Sequence, residues 1–504
     1  MDKNADQKIV AIGNTRDNMF SGMFWTFLRQ SSLQIFGFIE GIILARLLEP
    51  SDYGLIAMPA IFIQISGCFI DSGFATALVR NKDRKDIDYS TVFVTNVVLT
   101  TFFATILCFT SGLIANFYNE PRIRTIVCAN AVLLFLNSFL AIQNTRLTIK
   151  LDFKAQNIFR TITNIVIGCA TIICALCGMG VWALVWPNFI MPFLNGYLYY
   201  KHDPWFPQFK FSWEVWKRYF SFGSKLLASN LISTIYDNLN TIVIGKKFPA
   251  SDVGYFSKAN SYAMIPAYTL QTIVGPVAFP VMSAIKEEET LHRTYLKLVS
   301  LSCYLVFPLI FGLAVLAKPF ILILITEKWA PAIIFLQLLC FARMWGPFNV
   351  LCKDFIQVKG RTDLILKVEV LSKVMGTLVL IICIPLGITA MCIGLIANSF
   401  LTVIINMYCI KKVGGFTILK QIQNIIPAIL YSSSMALIIY FAIRFIDSLA
   451  LQLICGIIIG ASYYILISII SNSRDFYILI SIIKDKFLSK LKKNHENKDS
   501  ILHN

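Results

Sequence analysis

Apolar stretches long enough to cross a bilayer recur along almost the whole chain, separated by short polar segments. A membrane-spanning helix needs roughly 20 predominantly apolar residues, and about fourteen such runs are present. They fall at 20–45, 55–79, 91–116, 125–145, 157–178, 181–200, 220–245, 255–283, 297–317, 331–352, 363–385, 387–410, 425–446 and 449–471. This pattern predicts an all-α polytopic membrane protein. Two pairs of runs are divided only by tight turns, one at Pro385-Leu386-Gly387 and one at Gly178-Met179-Gly180. The polar gaps are small, the longest being 201–219 and the tail 472–504, with 317–330 the longest on the opposite side. None has room for a folded catalytic domain, so function must reside in the helices.

Composition agrees. The 504 residues are 57% hydrophobic and 14% charged, against about 25% charged in a soluble domain. An ordinary cytosolic enzyme and a disordered chain are both excluded. The net charge of +17, from 45 Lys and Arg against 28 Asp and Glu, does not call for nucleic acid. The basic residues concentrate in alternate loops, as in the segment Arg80, Lys82, Arg84, Lys85, and cytoplasmic loops of multi-span proteins carry such an excess. This bias predicts both termini in the cytoplasm. The opening MDKNADQK has no basic region followed by an apolar core, and no cleaved signal is expected. The 13 cysteines fall in or beside apolar runs, which argues against a disulfide framework. Cys174 and Cys177 form a CxxC with no further ligand nearby, so no metal is expected there. In the tail, Ile480, Ile483, Phe487 and Leu491 recur at helical spacing among lysines, predicting a basic amphipathic helix on the inner leaflet.

A repeat lies at an offset of 200 residues. Arg46-Leu-Leu-Glu-Pro-Ser51-Asp52-Tyr-Gly54 follows the first run, and Lys246-Lys-Phe-Pro-Ala-Ser251-Asp252-Val-Gly254 follows the seventh. Each Ser-Asp is expected to cap the next helix. Two six-span units in the same orientation result, which is a transporter architecture with substrate held between the repeats. The predicted organisation is a first unit at 1–200, a cytoplasmic linker at 201–219, a second unit at 220–410, two further spans at 411–471 and the tail at 472–504.

Several stretches carry a resemblance: Leu44–Ala57, Asp71–Arg80, Thr241–Lys258 and Phe279–Ser283. Over roughly residues 20–470 the chain resembles Wzx-type (WzxC-like) polysaccharide exporters of the multidrug/oligosaccharidyl-lipid/polysaccharide superfamily. The resemblance implies two six-helix lobes forming a V, plus two extra C-terminal helices. It implies export of a lipid-linked oligosaccharide across a Gram-negative inner membrane by alternating access, with no catalysis. Partner glycosyltransferases and a polysaccharide polymerase are implied in the same way. One position departs from the more distant lipid II flippases, where a basic residue follows the Gly-Phe of the first helix. Here Gly37-Phe38 leads to Ile39 and Glu40, so a pyrophosphate role does not transfer to that position.

Ionisable groups at membrane depth usually face a cavity or a partner. Arg29, Lys225 and Arg343 are candidates for the substrate phosphate; Arg29 and Lys225 alternatively snorkel to the interface. Arg343 with Trp345 suggests a stack on a sugar ring or a bundle ion pair. Ser229, Ser233, Tyr236 and Asn240 form a stripe on the seventh span, with Asp237 beside it. Asn130, Asn137 and Asn144 recur at sevens in the fourth, where amides either bind sugar or glue helices together. Asp71, Glu40 and Asp237 are candidates for coupling to H+ or Na+; no other cofactor is expected. Glu369 and Lys373 read as a local i,i+4 pair. The competing readings are a drug or organic-cation antiporter of the same superfamily and, less well supported, a membrane glycosyltransferase or polymerase.

Overall fold

The structure, a computed structural model, describes residues 34–71, 73–481 and 484; the side chains of Asp71 and Lys225 fall outside the described set. Every regular element among these residues is helical. The long helices are α1 (34–47), α2 (Pro50–Asp71), α3 (Phe74–Arg80), α4 (Asp86–Tyr118), α5 (Ile123–Ser138), α6 (Ala141–Ile149), α7 (Phe153–Leu176), α8 (Ile190–His202) and α9 (Trp213–Lys247). They continue as α10 (Ala250–Ser283), α11 (Glu288–Val315), α12 (Ala317–Ile325), α13 (Ala332–Arg343), α14 (Gly346–Val358), α15 (Thr362–Cys383), α16 (Ile388–Gly414), α17 (Ile418–Ile443) and α18 (Leu449–Ile470).

Ten described helices are long and apolar enough to cross a membrane, and the pair α5 and α6, bent by 41° at their junction, makes an eleventh. Three predicted spans are not among them. Residues 20–33 of the first run lie outside the described residues. Residues 180–189 form 3-10 turns ahead of α8, which has only 13 residues. The 35-residue α9 interleaves Lys, Ser, Asn, Asp and Thr with its apolar positions. Both predicted tight turns are present, with Gly178, Gly180 and Gly387 at φ 75°, 53° and 95°, a region glycine enters without a Cβ penalty. The segment 317–330, expected as a loop, contains α12 and a turn at Glu327–Trp329. Large side chains such as Phe109 (85% exposed) and Phe193 (68%) stand on the helix exteriors, as a lipid solvent permits. Of the predicted tail helix, the residues to 481 and Lys484 are helical; Ile483, Phe487, Leu491 and the lysines from Lys486 onward lie outside the described residues.

The chain forms two compact units, the first from Met1–Ser257 with Leu324–Lys328 and the second from Lys258–Ile323 with Trp329–Asn504. In the second, α11 packs on α17, and α18 is tied to α11 by the Tyr304–Ser468 hydroxyl pair and by Tyr464, whose hydroxyl donates to the Tyr304 carbonyl. On α18, Gly456 and Gly460 lie one turn apart. A Cβ on Gly460 would sit 2.8 Å from Ile439 Cδ1, and one on Gly456 2.5 Å from a Leu316 methyl. Small residues at this spacing let membrane helices approach closely.

Within the first unit the repeated motifs meet each other. A Cβ built on Gly54 would lie 1.8 Å from the carbonyl oxygen of Ala250, and one on Gly254 would lie 1.9 Å from that of Pro50. The contact is reciprocal at the 200-residue offset: each glycine receives the first-turn carbonyl of the other motif, and only a residue without Cβ fits. The basic residues follow the same exchange. Arg46 donates through Nε to the Leu324 carbonyl at 2.7 Å, and Lys246 through Nζ to the Phe117 carbonyl at 2.6 Å. Both acceptors lie in the last turn of a helix, where free carbonyls and the dipole favour a cation. The expected Ser-Asp cap is corrected. α2 and α10 begin at Pro50 and Ala250, so Ser51 and Ser251 lie inside the first turn. Asp52 instead reaches back to accept from the Glu49 backbone N–H at 3.1 Å. Pro50 suits the first helical position because its missing N–H would be unpaired there anyway.

Candidate functional site: a polar cavity in the first unit

α7 organises this site. Asp152 caps it, with Oδ1 accepting from the Ala155 N–H at 3.0 Å, and Gly178 ends it in the left-handed conformation. Along one face run Asn157, Arg160 and Asn164, spaced three and four apart, which aligns them on a helix. With α5, α6 and α8 this face encloses a cavity of about 420 Å³. Asn137, Asn144 and Asn195 reach it from the other three helices. Among the described residues the lining contains one charged residue, Arg160, and no carboxylate.

Hydrogen bonds set how these amides point. Thr163 Oγ1 donates to Asn195 Oδ1 at 2.7 Å, which leaves the Asn195 N–H groups for the cavity; Asn195 is only 4% exposed. Gln156 Nε2 donates to Asn144 Oδ1 at 2.6 Å, freeing the Asn144 amide as a donor and Gln156 Oε1 as an acceptor. Asn137 Oδ1 is buried with no partner among the described residues. Leu140, Leu147 and Tyr199 pack with Phe159 into an apolar cluster beside this polar lining.

Polar pairs pin the nearby helix ends. Arg146 holds Asp203 in a two-pronged bond, Nε to Oδ2 at 3.1 Å and Nη2 to Oδ1 at 3.0 Å, and Lys150 adds a third contact at 2.9 Å. Burial pushes the Asp203 carboxyl up, but the Arg146 and Lys150 hydrogen bonds outweigh it and hold the group below the ordinary carboxylate range. His202 Nε2 lies 2.7 Å from Asp152 Oδ2. The Ala155 N–H first, and then His202, keep Asp152 low as well.

The sequence-predicted residues separate into groups. Asn137 lines the cavity. Its stripe does not run straight, because the bend between α5 and α6 intervenes before Asn144, and Asn130 bonds the Ile126 carbonyl of its own helix. Glu40 on α1 packs against α7 at Gly168, where a Cβ would come 2.9 Å from its Oε2. Gly168 is one turn beyond Asn164, roughly 6 Å along the axis, so Glu40 continues the polar row. Arg29 lies outside the described residues. Lys225 and Asp71 stand on α9 and at the end of α2, with side chains outside the described set.

On α9, Ser229 and Asp237 are exposed while Ser233, Tyr236 and Asn240 are half-buried; Asn240 Oδ1 is buried with no partner among the described residues. The stripe is joined by a residue that sequence reasoning passed over. Asn238 donates to Gln64 Oε1 of α2 at 2.8 Å, and Cys68 and Thr234 are 3.2 Å apart nearby. In the second unit, Arg343 Nε donates to Asn260 Oδ1 at 3.0 Å. Of the two readings of Arg343 with Trp345, the sugar stack is corrected: the Trp345 ring is 4% exposed and packed edge-on against Phe307, Phe348 and Phe400. Glu369 pairs across helices with Lys353, so neutralisation within α15 alone does not account for it.

Arg160, Asn157, Asn164 and Asn195 were also passed over. The signal was present as a 157-160-164 spacing in the fifth run, but the partner helices that close a cavity around it are separated from it in sequence.

The family described as "Polysaccharide biosynthesis protein" matches residues 43–334, more than half of the chain. The lipopolysaccharide biosynthesis protein WzxC of Escherichia coli (strain K12) is 24% identical over 366 residues, covering 70% of this chain and 73% of the relative. The teichuronic acid biosynthesis protein TuaB of Bacillus subtilis (strain 168) is 25% identical over 355 residues, covering 69% and 72%. Among solved structures, the lipid II flippase MurJ in an inward closed conformation superposes with a TM-score of 0.71 at 15% identity, over 88% of this chain and 98% of that one, which establishes the fold. With ten helices among the described residues long and apolar enough to cross a membrane, the fold shared with MurJ and a family match over more than half its length, this multi-pass membrane protein belongs to the polysaccharide biosynthesis protein family.

Proposed function

We propose that the protein moves a lipid-linked oligosaccharide across the cytoplasmic membrane, the lipid staying in the bilayer while the head group crosses through polar surface inside the bundle. The observation that carries this reading is the amide-and-arginine cavity of about 420 Å³ within helices whose outer faces are apolar. A scaffold has little reason to keep such groups at membrane depth, where each unsatisfied one is costly. The relatives named for lipopolysaccharide and teichuronic acid biosynthesis support the substrate class. So does the fold shared with a lipid II flippase. No bond is made or broken in this process, so the protein acts as a transporter and not an enzyme. Both termini lie in the cytoplasm on the positive-inside reading, which places Arg146, Lys150 and Lys154 on the inner side.

Reconstitution tests the proposal. Proteoliposomes are loaded with undecaprenyl-pyrophosphate oligosaccharide bearing a labelled head group, and its appearance on the opposite leaflet is followed. Protein-dependent translocation is expected. Uptake of organic cations with no movement of the lipid-linked glycan would transfer the protein to the antiporter reading. Glu40→Gln and Asp71→Asn, assayed under imposed H+ and Na+ gradients, report which ion drives the cycle.

A further inference from the structure

We infer that the cavity between α5, α6, α7 and α8 is a subsite for the phosphate-proximal end of the head group, with Arg160 on phosphate oxygens and the amide row on the hydroxyls of the adjoining sugar. This rests on the transport reading above. Arg160 is the one charged residue among the described lining residues, and these include no carboxylate to neutralise it. The carboxylates at this end of the helices are engaged elsewhere, Asp203 by Arg146 and Lys150 and Asp152 by His202. A guanidinium held beside neutral amides presents its planar fork of donors to an anion from outside, and phosphate matches that geometry.

The amides select what adjoins the anion. Asn195, fixed by Thr163, and Asn144, fixed by Gln156, offer N–H donors. Asn137 offers a buried acceptor without a partner among the described residues. Sugar hydroxyls both donate and accept, so a lining that alternates the two roles suits them better than it suits an acyl glycerol. The volume of about 420 Å³ lies near the small end of the roughly 300–1,000 Å³ seen for small-ligand sites. It takes a phosphorylated sugar and leaves the rest of the oligosaccharide outside.

The test uses the purified full chain in detergent and three probes: glucosyl farnesyl diphosphate, farnesyl diphosphate, and dioleoyl phosphatidylglycerol. Binding is read by thermophoresis. Arg160→Ala is expected to weaken both diphosphates about tenfold or more, the size of a lost charge-assisted hydrogen bond, and Arg160→Lys to recover part of it. Asn164→Ala is expected to weaken the glucosyl probe severalfold and leave farnesyl diphosphate unchanged. Arg160 is exposed and lines the cavity, and Arg160→Gln provides a second variant should the alanine form fail to purify. Wild-type affinity for the glucosyl probe in every Arg160 variant would overturn the subsite and leave the transport reading standing. Phosphatidylglycerol competing as well as the glucosyl probe would make the cavity a phospholipid site and overturn the inference. Binding of neither diphosphate by the unmodified chain would remove the transport reading and the subsite with it.

Discussion

Gly254→Ala tests the reciprocal contact between the repeated motifs. The added methyl would lie 1.9 Å from the Pro50 carbonyl oxygen, 2.8 Å from its carbon and 3.4 Å from the Gly54 nitrogen. Cβ atoms essentially never come within 3.0 Å of another heavy atom, so the first turns of α2 and α10 must separate by at least about 1.1 Å (3.0 − 1.9). Because the obstructing atoms are backbone, no rotamer change relieves the clash. Overpacking of this kind costs typically 1–3 kcal/mol, and a backbone clash belongs at ~3 kcal/mol. Separation also draws Lys246 and Arg46 away from the Phe117 and Leu324 carbonyls, so the motif should loosen as a unit. The assay is thermal unfolding of the purified protein in detergent, read by loss of the monodisperse size-exclusion peak. Gly275→Ala is the control, since a Cβ there, on the same helix, meets nothing within 4 Å. The control should melt like the unmodified chain and Gly254→Ala well below it. Equal melting of the two variants would refute the claim that the motif glycine is required by the close approach of α2 and α10.

Asp203→Asn should lower stability by about 1–3 kcal/mol, since it leaves Arg146 half-paired. The folded pKa of Asp203 lies below the unfolded one, so its contribution is complete above about pH 4 and is lost as pH falls through the folded value; melting between pH 7 and pH 3 should fall less steeply in the variant. Thr163→Val removes the donor that orients Asn195 and should cost about 1 kcal/mol while weakening the glucosyl probe more than farnesyl diphosphate in the binding assay. Gly460→Leu forces a branched side chain against Ile439 and should displace α18 from α17, seen as lost crosslinking between cysteines introduced on the two helices. The same experiment with Gly112→Leu, where a Cβ meets nothing within 4 Å, should leave that crosslink intact.

Much of this protein is written locally. The apolar runs, their turns at Gly178-Met179-Gly180 and Pro385-Leu386-Gly387, and the all-helical class follow from residues close together in the chain, because a bilayer obliges each span to satisfy its own backbone hydrogen bonds. The 200-residue repeat and the family resemblance were equally legible. The tertiary structure decided what those residues touch. Arg343 with Trp345 reads as a sugar stack or a bundle ion pair, and the Trp345 ring proved to be core, since nothing near it in the chain announces Phe307 and Phe400. Ser51 and Asp52 read as a cap and lie inside the first turn, and the reason for Gly54 is Ala250, 196 residues away. Arg160 stood unremarked between Phe159 and Thr161 until α5, α6 and α8 closed amides around it. A helix's sequence specifies its own faces; which faces meet is set by packing among helices distant in the chain, and a binding cavity exists only after they have met.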